Sequence, residues 1–241
     1  MKSKDLQFLT WDQAKTCLNA SSVVVIPLGA QCKEHGLHLP LNTDFVMAEE
    51  LKKLVASQVE AVFAPTINYA YYPAMIKYPG TVSLSYETTI GMISDICLSF
   101  KIFSVRKFYI LNTGISTLKP LKSAADQLAH ENIVLRYTDL NKLLAPVKKS
   151  IEQQEGGGHA DEIETSIMLA LKSEIVQMQK AKKDFTGSGG GPLTPIDDGS
   201  GVYSPTGAWG DPTLASIEKG KKLTDALVSG IVSEINELNK S

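Results

Sequence analysis

Two of the chain's four histidines lie in one short segment that also carries two carboxylates. Glu34, His35, His38 and Asp44 stand within eleven positions of one another. Imidazole nitrogens and carboxylate oxygens are the donors that bind divalent transition metals. We therefore predict a metal site in this segment. The alternative is that His38 and Asp44 only cap turns and the start of the next helix.

The elements that position this segment are those of a largely parallel sheet flanked by helices, an α/β fold. Short apolar runs occur at 23–28, 61–64, 108–111 and 133–135, and helical patterns lie between them at about 45–57, 86–101 and 116–130. This alternation is typical of βαβ units. In such sheets ligands bind beyond the carboxyl ends of the strands. The histidine-rich segment follows the first run directly, so it falls at that edge.

The C-terminal half adds two helices and one long irregular segment. One helix is predicted to begin near Asp161, and the last to span about 213–239, with Asp211 as N-cap and Pro212 as its first residue. Between them, 186–212 is rich in Gly and Pro and is too long for an ordinary connection. We expect a lid or an inter-subunit arm there, within a single domain covering 1–241.

Composition excludes several classes of protein. The chain has 241 residues, a mass of 26.1 kDa and a formal net charge of −2, which argues against a nucleic-acid partner. Neither a membrane-spanning run nor a secretory signal is visible in the sequence. Three cysteines are too few for a disulfide scaffold. We expect a cytoplasmic protein with no membrane partner.

Four segments, in order, resemble motifs of the creatininase (creatinine amidohydrolase) family. They are Glu34-His-Gly-Leu-His-Leu-Pro-Leu-Asn-Thr-Asp44, Tyr78-Pro-Gly-Thr-Val-Ser-Leu84, His159-Ala-Asp-Glu-Ile-Glu-Thr-Ser166 and Gly207-Ala-Trp-Gly-Asp-Pro212. The resemblance implies a three-layer α/β fold, a homo-oligomer that is often a hexamer, and metal-dependent hydrolysis of C–N bonds in amides. It also implies two metal ions and a proton-shuttling histidine, which matches His159 here.

The chain departs from the family pattern at three ligand positions. Gly114 and Ser116 stand where the family has a His and a Glu, and Lys33 stands where the family's Glu-x-His motif has its Glu. One extra residue between Gly29 and His35 suggests a β-bulge that turns Glu34 towards the metal. The competing interpretation is that the Lys33 ammonium replaces the charge of a metal ion.

The resulting hypothesis is an amidohydrolase with one divalent ion, zinc, manganese or iron, held by Glu34, His35 and Asp44. His159 would shuttle the proton, and Glu164 would supply a missing carboxylate or orient His159; the alternative for His159 is simple solvation at a helix end. Expected contacts to a small cyclic amide or formamide-like substrate come from His38, Tyr71, Ser116 and Trp209. The rival hypothesis is a degenerate member that binds a small ligand or a partner without catalysis.

Overall fold

A five-stranded parallel sheet forms the centre of the computed structural model, which describes residues 3–187 and 191–240. Its strands are β1 (Lys4–Asp5), β2 (Val23–Leu28), β3 (Val62–Phe63), β4 (Lys107–Asn112) and β5 (Val134–Tyr137), in the spatial order β1-β3-β2-β4-β5. The central strands β2 and β4 pair along their whole length. Every residue of β2 is buried, as expected for a strand covered on both faces.

Helices cover both faces of this sheet. They are α1 (Trp11–Lys15), α2 (Thr43–Ala56), α3 (Tyr86–Lys101), α4 (Leu118–Ala129), α5 (Leu140–Ile151), α6 (Glu162–Lys172) and α7 (Ile217–Lys240). Alternate side chains of β2 enter opposite cores: Val23 and Val25 pack with α2, α6 and α7, whereas Val24 and Ile26 pack with α3 and α4. The predicted three-layer α/β architecture is confirmed.

Two elements near the C-terminal half differ from the sequence prediction. Helix α5 is absent from that prediction; it contains Pro146, a residue that usually ends a helix, yet Leu144 packs into the core beside α7. The last helix begins later than predicted. Asp211 caps a single 3-10 turn, Pro212–Leu214, and the extended backbone of Ala215 separates that turn from α7.

The described part of the predicted lid segment is anchored to the rest of the fold. It contains the short parallel pair β6 (Leu193–Thr194) and β7 (Val202–Tyr203). The Asp184 carboxylate accepts hydrogen bonds from the hydroxyls of Ser204 and Thr206, both at 2.7 Å. Positions 188–190 of the segment lie outside the described residues. Its role as a lid or arm stays a prediction.

Across residues 3–187 and 191–240, every helix is too short or too polar to cross a lipid bilayer.

Candidate functional site

The loop after β2 is fastened to the carboxyl ends of the two central strands. Thr113, which follows β4, donates its backbone N–H to the Leu28 carbonyl at 3.1 Å and its hydroxyl to the Asp44 carbonyl at 2.9 Å. Any side chain at Gly29 would overlap the Asp44 carbonyl oxygen. The absence of a side chain at Gly29 therefore lets α2 start against the sheet, with Asp44 in its first turn, where the helix dipole favours a carboxylate.

Three donor groups converge at this edge of the sheet. The Nε2 atom of His35 lies 3.0 Å from Asp44 Oδ1 and 3.7 Å from Glu164 Oε1. One ligand atom from each residue falls within 4.8 Å of the other two, and the side chains of His35 and Asp44 are fully buried. An imidazole and two carboxylates at this spacing form a donor set suited to a divalent transition metal.

The backbone contact of His35 is compatible with this assignment. Its Nδ1 atom lies 2.8 Å from the carbonyl oxygen of Lys33, and a carbonyl only accepts, so Nδ1 carries the hydrogen. In a neutral imidazole Nε2 then presents a lone pair to the carboxylate oxygens of Asp44 and Glu164. A cation among the three atoms would give this lone pair a partner, and a backbone carbonyl behind the ring is the usual support of a metal-ligating histidine.

Lys33 forms a buried ion pair with the other oxygen of the same carboxylate. Its Nζ atom lies 2.6 Å from Asp44 Oδ2. Burial alone would lower the pKa of Lys33, but the charges of Asp44 and Glu164 outweigh it and raise the pKa above its ordinary value. Burial alone would raise the pKa of Asp44, but Lys33 and His35 outweigh it and lower the pKa. Both partners are therefore ionised at neutral pH.

Glu34 lies outside the three-donor cluster and faces a second histidine. Its Oε2 atom is 2.9 Å from His159 Nε2, and its Oε1 atom accepts the backbone N–H of Gly36. Gly207 has a φ of +81° and packs so closely on this carboxylate that a Cβ there would overlap it. The expected set of Glu34, His35 and Asp44 thus differs from the observed one, in which Glu164 is the third member.

The reason for this difference is the conformation of the first loop. Between bends at 31–32 and turns at 36–38, the side chains of residues 33–35 alternate in direction, and the bulge suggested by the sequence does not turn Glu34 towards Asp44. Lys33, two positions before His35, therefore lies with it on the side of Asp44, whereas Glu34 faces His159. The competing interpretation of Lys33, as a positive charge at the site, matches this placement.

His159 is held between the first loop and the segment before α7. Its backbone exchanges hydrogen bonds with Trp209, at 2.7 and 3.3 Å. Burial alone would lower the pKa of His159, but the hydrogen bond to Glu34 outweighs it and raises the pKa. The Nδ1 atom lies 3.8 Å from Glu164 Oε2, so Glu164 stands between the two imidazoles and its own pKa is lowered, because His35 and Lys33 outweigh the effect of burial.

The main chain beside His159 is strained. Ala160 is fully buried with a φ of +47°, a conformation that side chains other than glycine rarely adopt. Its N–H donates to Glu164 Oε2 at 2.7 Å. Strain of this kind persists where the surrounding contacts enforce it, and it concentrates at functional sites.

A cavity of about 200 Å³ opens beside these groups. Lys33, His159 and Glu164 contribute to its polar wall, and Met47, Leu144 and Ile167 contribute to its apolar wall. From the sequence, Ile167 is recognisable only as a member of the apolar stripe of α6, not as a cavity residue. Leu144 lies on α5, a helix that the sequence did not predict. A few polar groups set in an apolar wall are typical of small-molecule sites.

The four residues expected to bind substrate are dispersed. Ser116 lines the cavity. His38 is buried with its Nε2 atom 2.8 Å from the Thr165 hydroxyl, Tyr71 packs edge-on against Tyr86, and Trp209 packs edge-on against Phe185. Of the four, all within the described residues, Ser116 alone borders the cavity.

The buried position of His38 predicts a pH-dependent stability. Burial lowers the pKa of His38 to about 4 from its ordinary value of 6.5, so the unfolded chain binds the proton more readily than the folded one. We expect the free energy of unfolding to fall as the pH drops from about 6.5 to about 4. Urea titrations across that range should show a smaller fall for His38→Gln. An equal fall in both proteins would contradict the assignment.

The model of the family described as creatinine amidohydrolase matches residues 7–235. The chain belongs to the creatininase family.

Two similar relatives have different activities. The chain is 27% identical to the creatinine amidohydrolase of Pseudomonas putida, with 95% of each chain covered. It is 25% identical to the mycofactocin precursor peptide peptidase of Mycobacterium ulcerans (strain Agy99), covering 88% of this chain and 84% of the relative. Among solved structures, the Mn form of creatininase superposes with a TM-score of 0.85 at 23% identity, and the Zn-Zn form of a creatininase mutant with 0.82 at 23%, each covering 98% of both chains.

Proposed function

We propose that the protein is a metal-dependent amidohydrolase that cleaves a C–N bond of a small cyclic amide or formamide-like substrate. The observation that carries the proposal is the convergence of His35 Nε2, Asp44 Oδ1 and Glu164 Oε1 within 4.8 Å. The names of the relatives support hydrolysis as the reaction class, since both named activities are hydrolytic.

His35, Asp44 and Glu164 would hold one divalent ion. The Mn and Zn-Zn forms of creatininase support a divalent metal in this family, and we favour zinc, with manganese and iron as the alternatives. A divalent ion supplies Lewis-acid polarisation of a carbonyl group and a lower pKa for water. Because three protein ligands leave coordination positions open, the donor set suits a catalytic site better than a closed structural one.

His159 is the residue we assign to proton transfer. Glu34 accepts a hydrogen bond from its Nε2–H, which leaves Nδ1 free to take a proton from the attacking water and to give it to the leaving nitrogen. The proton count balances, since one proton leaves water and one reaches the amine. Glu34 is then the residue that orients His159.

Metal retention tests the ligand set directly. We expect the protein purified without chelator to contain about one divalent ion per chain, and Glu164→Gln to lose at least tenfold in metal affinity because a neutral amide is a poorer ligand. Glu34→Gln is the matched control, since Glu34 faces His159, and it should keep the ion. Elemental analysis and competition with a fluorescent chelator measure both quantities. Loss of the ion in the control alone would reverse the two roles.

A panel of substrates tests the reaction. Creatinine, five-membered cyclic imides, lactams and N-formyl amines would be incubated with the metal-loaded protein, and ring opening or formate release followed by mass spectrometry. Turnover that stops on chelation and returns with the metal supports the proposal. A loaded protein inert towards every class would contradict it.

A second candidate function is ligand binding without catalysis. The observation that favours it is the Lys33–Asp44 ion pair together with Gly114 and Ser116, two positions without a metal-binding side chain. A protein that retains its fold without any metal, and whose melting temperature rises with a ligand that it never converts, would establish this alternative.

We also propose a homo-oligomer, with a hexamer as the form to test, in the cytoplasm. Exposed apolar side chains near the start of the chain support an interface, since Phe8 is 78% and Trp11 79% exposed. Light scattering after size-exclusion chromatography measures the assembly, and a monomer would contradict it.

A further inference from the structure

The carboxylate of Asp44 lies between two different cation positions. Its Oδ1 atom faces His35 Nε2 at 3.0 Å, on the side where Glu164 completes the donor cluster. Its Oδ2 atom faces Lys33 Nζ at 2.6 Å. The two oxygens of the Asp44 carboxylate thus face two cation positions. One could hold an exchangeable ion, and the other is already occupied by the Lys33 ammonium of the same loop.

The position filled by Lys33 is closed as well as charged. The Lys33 side chain is only 10% exposed, and its Nζ atom stands 5.7 Å from the centroid of the buried Tyr72 ring, within the range of a cation–π contact. A Cβ at Gly114 would lie 3.2 Å from both the Tyr72 ring and the Thr117 hydroxyl. A metal-ligating side chain at position 114 would therefore require its neighbours to move.

One divalent ion and Lys33 are enough to compensate the carboxylates around Asp44, even before any charge on His159 beside Glu34 is counted. Asp44, Glu164 and Glu34 contribute three negative charges, and all three act on Lys33. Lys33 and a single divalent ion contribute three positive charges. A second divalent ion would leave the buried group with excess positive charge, which is costly where solvent does not screen it.

We propose that the Lys33 ammonium is a tethered cation that permanently takes the place of a second divalent ion at Asp44. Lys33 thereby limits the site to one exchangeable ion and keeps the carboxylates compensated when that ion is absent. This inference concerns the same site as the proposed function, but it stands on the Lys33–Asp44 pair and does not require turnover.

Two substitutions at Lys33 test the proposal. Lys33→Met removes the charge with little change in side-chain length, and we expect zinc affinity to rise at least tenfold because a neighbouring positive charge is gone. In chelator the same variant should melt at a lower temperature than the natural protein, and added zinc should raise its melting temperature by more. Lys33→Glu should bind a second equivalent of zinc. Lys148→Met, a charge removal at the same cavity without contact to Asp44, should leave zinc affinity and stoichiometry unchanged.

Titration calorimetry, elemental analysis and thermal melting with and without zinc decide the outcome. If zinc affinity is unchanged in Lys33→Met and zinc stoichiometry is unchanged in Lys33→Glu, the tethered cation is overturned. The proposed function is not affected by that result. If the natural protein binds no zinc but the Lys33→Glu variant does, the result supports the tethered cation and contradicts the metal-dependent function. Absence of zinc from all of these proteins overturns both.

Discussion

Asp44→Asn is expected to lower the free energy of unfolding by about 3–5 kcal/mol in chelator, the usual cost of breaking a buried ion pair by removing one partner. Asp44 is fully buried and Lys33 nearly so, so the substitution leaves an ammonium without its closest counter-charge. Urea titration followed by circular dichroism gives the free energy. The same variant should also lose metal retention and hydrolysis, because Asp44 supplies a ligand oxygen that faces His35.

A second substitution separates the two consequences of losing Asp44. In the background of Asp44→Asn, Lys33→Met removes the stranded charge, and we expect it to recover more than half of the lost stability. It should recover neither the ion nor the activity, since the ligand oxygen is still missing. Equal stability losses with and without Lys33→Met would show that the ion pair is not the source of the effect.

His159→Gln is expected to reduce kcat by about 10²–10⁴-fold, the range for removal of a general acid–base group. Glutamine retains a donor for the Glu34 carboxylate but cannot transfer a proton at neutral pH. Metal content should not change, because His159 lies outside the cluster of His35, Asp44 and Glu164. The measurement is kcat for a substrate found in the panel, with the ion quantified in the same samples.

The matched control for this substitution is His130→Gln. His130 is exposed at the C-terminal end of α4, so replacement should leave kcat and metal content within about twofold of the natural protein. An unaltered kcat in His159→Gln would remove His159 from the reaction. Loss of the ion there would instead make His159 a ligand.

The arrangement around Asp44 relates the chain's departures from the family pattern to one another. Lys33, Gly114 and Ser116 replace three expected ligands, and two of those replacements are linked in space, because the Tyr72 ring that lies against Lys33 also crowds Gly114. The Lys33 ammonium and the Tyr72 ring fit beside position 114 because the residue there is a glycine. The departures are therefore compatible with the single ion position that we propose.

The sequence by itself determined the architecture and the location of the site. The β-branched run Val23–Leu28 has no polar residue, so it fits only a strand covered on both faces, and the loop after it must lie at the carboxyl edge of the sheet. From that placement Glu34, His35, His38 and Asp44 were predicted as candidate ligands, and the family resemblance narrowed the set to Glu34, His35 and Asp44. Helix α5 was missed because Pro146 interrupts its pattern, and the start of α7 was displaced because a proline-initiated turn precedes it.

The tertiary structure alone decided which neighbour of His35 faces Asp44. The two-residue spacing of Lys33 and His35 puts both on one side of an extended segment, but the sequence alone could not exclude a bulge that turns Glu34 to that side instead. Residues distant in the sequence fix the direction of the Glu34 side chain. His159, 125 positions away, contacts the Glu34 carboxylate, and Gly207 packs against the same carboxylate. Glu164 reaches the cluster only because α6 packs beside α2. Local sequence encodes the elements, whereas long-range packing sets the direction of each charged group.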